Sequence, residues 1–395
     1  MKTVPQPAKS LSPAIRFVTL LGFVSLFADV TYEGARSVSG PYLGTLGASA
    51  FIVSLVAGLG ELAGYSLRLV SGKFTDKTRL YWATTIAGYV INLLSVPALA
   101  LTRAWPWAAA LLITERAGRA IRNPPRDAML SHATHEIGRG WGFGLHEAMD
   151  QTGALIGPIA ISLVLVRGGN YRTGYAWLLI PALIALALVL IARSQFPNPR
   201  DLEVKLAHVE RTGISRQFWV YAIGAGLIAA GYADFPLIAF HFAQSSIFHS
   251  SSIPLAYALA MGVSALAALS FGRLFDRFGL SSSAIGIIAA AAFAPLVFLG
   301  GFKAALLGMT LWGVGLGVQE SALRAYLAQL VPPDRRASAY GLFDAVFGVF
   351  WAGGSAVMGV LYSHSLIALV AFSVVTQLAA VPVLLWSAGR AKSPA

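Results

Sequence analysis

Twelve apolar runs, each long enough to cross a bilayer, constrain this chain more than any other feature. A hydrocarbon core about 30 Å thick needs about 20 consecutive apolar residues per helix. The runs fall at roughly 15–43, 49–71, 81–101, 106–124, 141–165, 175–192, 217–240, 253–272, 281–299, 303–326, 338–361 and 365–387, and are numbered helices 1 to 12. Only 12% of the residues are charged while 56% are hydrophobic, with a mean hydropathy of +0.68. A water-soluble domain carries roughly a quarter charged residues. The fold class is therefore an all-α membrane protein with twelve transmembrane helices. The first run follows Lys2 and Lys9 as a secretory signal would, but with eleven further runs behind it, it reads as an uncleaved span. No cysteine is present, which excludes disulfides and thiol chemistry.

Most connections are short. The exception is 193–216, polar and mixed in charge, in which DLEVKLAHVER has the make-up of a short surface helix. It separates a first six-helix unit, 1–192, from a second, 217–395. With the N-terminus inside, the outer loops hold only Arg103, Arg167, Arg172 and Lys303, and Arg36 lies near the outer end of helix 1; the other 24 of 29 basic residues fall toward the inner side. That bias predicts cytoplasmic termini and a cytoplasmic linker. It also accounts for the net charge of +12 without nucleic acid. Compactness and short loops suggest a bacterial inner membrane.

The two units repeat. GKFTDK from Gly72 and GRLFDR from Gly272 each follow the second helix of a unit, 200 residues apart. RGWGFGLHEA from Arg139 and RASAYGLFDA from Arg336 open the fifth helices, 197 residues apart. Internal repeats of this kind mark secondary transporters, whose solute site lies between the repeats near the midplane.

On these features the chain resembles the major facilitator superfamily over essentially its whole length. The resemblance implies two pseudo-symmetric six-helix bundles working by alternating access. That family's loop signature is Gly-x-Leu-x-Asp-Arg-x-Gly-Arg. Gly272, Leu274, Asp276, Arg277 and Gly279 fit it; the first copy has Gly72, Asp76, Lys77 and Arg79, with Thr78 read at the place of the usual glycine. The resemblance implies that Asp76 and Asp276 bond the starts of helices 11 and 5 and lock the inner side, where free N–H groups and the helix dipole favour a carboxylate. The family's proton-linked exporters also carry Gly, eight residues, Gly, three residues, Gly-Pro in helix 5. Gly144, Gly153, Gly157 and Pro158 keep that spacing, although Ile161 and Ser162 replace the glycines that usually follow. The match implies export; close helix packing by small residues is the plainer reading.

The charges give an independent line. The spans of helices 3, 6, 8, 9 and 12 carry none. Helix 1 has Asp29, Glu33 and Arg36; helix 2 Glu61 and Arg68; helix 4 Glu115, Arg116, Arg119 and Arg122; helix 5 Glu147 and Asp150 beside His146; helix 7 Asp234; helix 10 Glu320 and Arg324; helix 11 Asp344. A charge at the bilayer centre costs at least about 2.5–3.5 kcal/mol, so these helices border a polar interior while 3, 6, 9 and 12 are free to face lipid. Positions 29, 33 and 36 fall within an arc of about 60°. That face is expected to line a central cavity, with Arg36 paired to Glu33 and Asp29 lacking a local counter-ion. Asp29 and Glu33 are thus candidate proton carriers, as are the helix 5 acids and His146, which changes charge in the physiological range. Asp344 is the repeat equivalent of Glu147. Pro236, in GYADFP, is expected to break helix 7 beside Asp234. Arg116, Arg119, Arg122 and Arg126 form a stripe down helix 4, either an anion-binding surface, with Arg116 deepest and Arg324 across from it, or an inner flank paired with Asp127 and Glu136.

No phosphate-binding Gly-x-x-x-x-Gly-Lys-Ser/Thr loop and no nucleophile elbow occurs, so neither ATP hydrolysis nor another enzyme activity is expected. His132 and His135, before Glu136, lack cysteine support, so no metal or other cofactor is expected. The sequence thus points to a proton-coupled secondary transporter of a small organic solute, a monomer in the lipid bilayer, exporting by proton antiport. Uptake of an organic anion by proton symport and a non-transporting receptor or scaffold on the same fold are the alternatives.

Overall fold

The computed structural model describes residues 13–137, 139–197, 215–331 and 336–389, and their regular structure is entirely helical. The surface helix expected in the linker lies outside these residues. Helices 1 to 5 are Pro13–Thr45, Ala50–Thr78, Tyr81–Ala98 with a 3-10 turn Leu99–Leu101, Trp105–Ile137 and Arg139–Val166. Helix 6 runs as Tyr171–Trp177 and Leu179–Gln195, helix 7 as Arg216–Gly231 and Phe235–Gln244, and helix 8 as Ile253–Phe278. Helix 9 is Ser281–Ala291 and Phe293–Phe298; helix 10 is Phe302–Val318, a π turn Gln319–Leu323 and Arg324–Leu330; helices 11 and 12 are Arg336–His364 and Leu366–Gly389. Among the described residues, ten spans are long and apolar enough to cross a membrane by themselves. Helices 4 and 10 fall short because the first holds the arginine stripe and the second is interrupted by its π turn.

The breaks have local causes. Helix 6 stops at Trp177, four residues before Pro181, and helix 9 at Ala291, four before Pro295. A proline removes one helical N–H and crowds the carbonyl four residues back. These two breaks were readable in the sequence, and the uninterrupted spans expected there are corrected. Helix 7 opens at 232–234, as Pro236 suggests; Asp234 starts the second segment, its carboxylate accepting from the Phe235 N–H at 2.8 Å. Helix 2 ends with Arg79 at φ +61° and helix 8 with Gly279 at φ +64°. The residue equivalent to Gly279 is therefore Arg79. Thr78 is still helical, and the placement of the missing glycine at Thr78 is corrected.

Helix 1 packs closely on helix 5, where Gly153 sits against the Leu26 carbonyl and Gly157 against Val30 and Gly34. Helices 3 and 4 meet at Gly88 and Gly118. Small residues also join the first six helices to the last six: Gly58 of helix 2 faces Ala352 and Ser355 of helix 11, and Gly40 of helix 1 faces the Pro236 carbonyl. In a bilayer, such van der Waals contact and interhelical hydrogen bonds hold helices together. Helices 3, 6, 9 and 12 turn Leu94, Ile180, Ile285 and Val375 outward, as the charge pattern suggests. Helix 8 departs from that pattern. Leu266 and Leu269 face outward, whereas Tyr257 is buried against helix 1.

Candidate functional site

A cavity of about 160 Å³ lies between the first six helices and the last six. Helix 1 contributes Glu33 and Arg36, helix 2 Glu61, Tyr65 and Arg68, and helix 4 Arg116 and Arg119; helix 8 adds Tyr257, helix 10 Gln319, Glu320 and Arg324, and helix 11 Phe343, Asp344, Phe347 and Trp351. A smaller chamber next to it shares Arg36 and Arg116 and reaches Glu115 and Asp234.

A network of charges crosses this interface. Arg36 Nη2 donates to Asp234 Oδ1 at 2.6 Å and to Glu61 Oε1 at 3.3 Å. Arg116 reaches Glu61 at 3.2 Å and Glu115 at 3.4 Å, and Asn92 donates to Glu115 at 2.7 Å. Arg68 lies 3.6 Å from Asp344 of the other six-helix set. Glu33 accepts a 2.5 Å hydrogen bond from Tyr257. The expected Arg36–Glu33 pair is therefore not formed. Three residues apart on one helix, the two side chains find closer partners on different neighbours. A guanidinium held by two carboxylates makes charge-assisted hydrogen bonds, which are stronger than neutral ones.

The single lining face expected for helix 1 is also corrected. Glu33 and Arg36 line the cavity, but Asp29 does not; it is buried beside Gly153 of helix 5. No ion pair involves Asp29 among the described residues. Close by, His146 lies 3.5 Å from Asp150 and 3.0 Å from the Ser25 hydroxyl, which also accepts from Arg126 at 3.1 Å. Asp150 Oδ1 is buried without a partner. Glu147 is exposed, accepts from Gln151 and lies near enough to Glu320 of helix 10 to act on it electrostatically, while its repeat equivalent Asp344 lines the cavity. Helix 5 thus builds a polar cluster inside the first six helices; among its described residues none lines the central cavity itself, although Glu147 lies near the Glu320 of its wall.

The arginine stripe divides its work. Arg116 is engaged by two carboxylates, Arg119 lies over the Tyr32 ring at 4.2 Å, Arg122 over Tyr89 at 4.4 Å, and Arg126 pairs with Asp127 at 2.8 Å. Arg116, the sequence's preferred solute contact, is thus already neutralised; Arg119 and Arg122 have no carboxylate partner among the described residues, and of these two only Arg119 lines the cavity. Of the loop residues, Gly72 and Gly272 lie in the last turns of helices 2 and 8, and Lys77, Arg79, Asp276 and Arg277 are exposed. The side chains of Asp76, of 131–144 (with Gly144, His132, His135 and Glu136) and of 336–338 lie outside the described residues, and the two expected latches with them. No metal-binding cluster occurs among the described residues. Sequence reasoning missed Tyr257, Gln319 and the aromatic wall of helix 11, because uncharged residues carry no intramembrane alarm.

The sequence profile of the Major Facilitator Superfamily matches residues 19–355 and again 235–394. The chain belongs to that superfamily, and it is a multi-pass membrane transporter rather than an enzyme. An uncharacterized protein of Mycobacterium tuberculosis is 41% identical over 374 residues, covering 93% of this chain and 91% of its own. An uncharacterized MFS-type transporter of Methanocaldococcus jannaschii is 24% identical over 360 residues, 88% of this chain and 89% of its own. A solved POT family transporter, in complex with a thioalcohol-conjugated peptide, superposes with a TM-score of 0.77 at 12% identity over 96% of this chain and 97% of its own. That likeness concerns the fold.

Proposed function

We propose that this protein is a proton-coupled secondary transporter that exports a small organic solute by proton antiport. The observation that carries this reading is the buried carboxylate cluster of helices 1 and 5. Asp29 has no ion-pair partner among the described residues, and Asp150 has an unpartnered buried oxygen beside His146. Intramembrane acids without fixed counter-ions suit a proton that loads and leaves. The solute occupies the cavity between the two six-helix units, 1–192 and 217–395, and 193–216 tethers them. The ion pairs of Arg36 and Arg68 cross between the units and exchange as the protein alternates between states. The termini and linker face the cytoplasm of a bacterial inner membrane, and Asp76 and Asp276 latch that side. One chain supplies every wall of the cavity, so the monomer is the working unit. Export is supported by the glycine spacing of helix 5; the open guanidiniums of Arg119 and Arg324 favour, as the second reading, uptake of an anion by symport.

The test is flux in liposomes holding a pH-sensitive dye, with an imposed pH gradient and a panel of organic cations, anions and neutral compounds. Solute-dependent proton movement is expected, lost in Asp29→Asn and Asp150→Asn. Proton movement opposite to the solute supports antiport, movement with it symport. Solute flux that leaves internal pH unchanged refutes coupling.

A further inference from the structure

The cavity's charges are of two kinds, those already satisfied within the protein and those left over. Glu61, Asp234 and Glu115 engage Arg36 and Arg116, Asp344 lies by Arg68, and Glu33 holds Tyr257. Four lining groups have no opposite charge within 4 Å among the described residues: Glu33, which Tyr257 engages by a hydrogen bond, and Arg119 on helix 4 with Glu320 and Arg324 on helix 10, which no side-chain hydrogen bond engages. Glu320 and Arg324 are four residues apart, a spacing at which an α-helix brings side chains together. Across the π turn Gln319–Leu323 they form no ion pair. π turns inside helices recur at functional sites.

Two further groups point to a ligand. Trp351 is 4% exposed and Gln319 8% exposed, both line the cavity, and the indole N–H and the Gln319 Oε1 are buried without a partner. A buried donor and a buried acceptor left unmade cost about 1–3 kcal/mol each. Arg119 lies over the Tyr32 ring, and no hydrogen bond or ion pair engages its guanidinium donors among the described residues. The cavity thus offers unengaged donors on both sides of the interface and, on helix 10, the unengaged acceptors Glu320 and Gln319 Oε1. Its volume of about 160 Å³ is on the scale of the roughly 150 Å³ cavity that takes up benzene.

We propose that this cavity binds a small zwitterion of amino-acid size. Its carboxylate bridges Arg119 and Arg324, its ammonium group rests on Glu320 and the Gln319 carbonyl, and its apolar part lies against Phe347 and Trp351. Because Arg119 and Arg324 belong to different six-helix units, the bound anion ties the two units together and favours the state in which helices 4 and 10 approach. A solute shifts such an equilibrium only through contacts that differ between the states. This inference rests on the transport reading for its purpose but is tested by binding alone.

The experiment is equilibrium binding to the purified full chain in detergent, without any gradient. The probes are the aromatic and aliphatic amino acids, each compared with its deaminated acid and its decarboxylated amine. At least one amino acid is expected to bind about tenfold more tightly than either counterpart. Arg119→Gln and Arg324→Gln should abolish that advantage while leaving the amine's affinity unchanged. Glu320→Gln should remove the advantage over the deaminated acid. Unliganded thermal unfolding of each variant reports whether it is folded, and Arg324→Lys, which keeps the charge, should retain part of the binding. The proposal is overturned if no amino acid outbinds both of its counterparts, or if the wild-type preference survives Arg324→Gln. Zwitterion binding without proton movement in the liposome assay would refute coupling and leave this site standing; the reverse result would leave coupling standing and refute this site.

Discussion

Helices 5 and 11 begin with matching segments and diverge within two turns. At an offset of 197 residues, His146, Asp150 and Gly153 of helix 5 correspond to Phe343, Phe347 and Phe350 of helix 11. The first face builds the polar cluster with Ser25 and Arg126. The second builds a stack: Phe343 lies on Tyr221 at 5.6 Å and on Phe347 at 5.8 Å, and Phe347 meets Trp351 at 5.7 Å. Close contact with the first helix of each unit is kept: Gly157 and its equivalent Gly354 both meet a backbone carbonyl of that helix, but one turn earlier the small residue has changed sides. Gly153 of helix 5 receives the Leu26 carbonyl of helix 1, whereas Gly226 of helix 7 receives the Phe350 ring of helix 11. At that turn the duplicated frame needs one small residue and is indifferent to which helix supplies it. Released from that requirement, the two units carry different chemistry, ionisable in the first and aromatic in the second.

Substitutions can break this comparison at several points. The largest effect is expected where the two units are tied together. Arg36→Gln strips Asp234 and Glu61 of a counter-charge and should cost about 3 kcal/mol, read as a fall in the unfolding temperature, with Arg36→Gln/Asp234→Asn recovering much of it. Gly153→Ala drives a methyl into the Leu26 carbonyl and should cost about 1–3 kcal/mol. Gly353→Ala, on the same helix 11 but facing open space, should leave thermal unfolding nearly unchanged; equal effects would refute the packing argument. Exchanging chemistry should alter function more than stability. Asp150→Asn should lower proton-coupled flux about a hundredfold or more, within the range of general acid–base effects, while Phe347→Leu keeps coupling and raises the half-saturating solute concentration a few-fold. The smallest effect belongs to the loop copies. Arg79→Gly gives the first copy the cap residue of the second and relieves a left-handed conformation costing about 1 kcal/mol, so its unfolding temperature should rise slightly.

The helix 1 charges show where the sequence was legible. Asp29, Glu33 and Arg36 announce a polar interior because lipid cannot solvate them, and that much follows from composition and spacing. Their partners do not. Asp29 turns to helix 5, Glu33 to Tyr257 of helix 8, and Arg36 to Glu61 and Asp234 of helices 2 and 7. The last two partners that face Arg36 are 25 and 198 residues away in the chain. No local period encodes such a distance. The same limit hid Tyr257 and Trp351, which are unremarkable in an apolar span until a cavity opens beside them.

Sequence alone determined what depends on solvent and on near neighbours along the chain. Twelve spans follow from the apolar runs, the internal repeat from matched segments, the break in helix 7 from Pro236, and the lipid-facing helices 3, 6, 9 and 12 from their lack of charge. Each of these is decided by the free energy of one helix in the bilayer or by one residue's backbone chemistry. Tertiary structure decided which charges neutralise one another and which remain. Arg36 and Arg116 are consumed by carboxylates, and Arg119, Arg324 and Glu320 are left facing the cavity. That sorting depends on separations of a few ångströms between helices remote in sequence, because charge-assisted hydrogen bonds form only at short range and in the right direction.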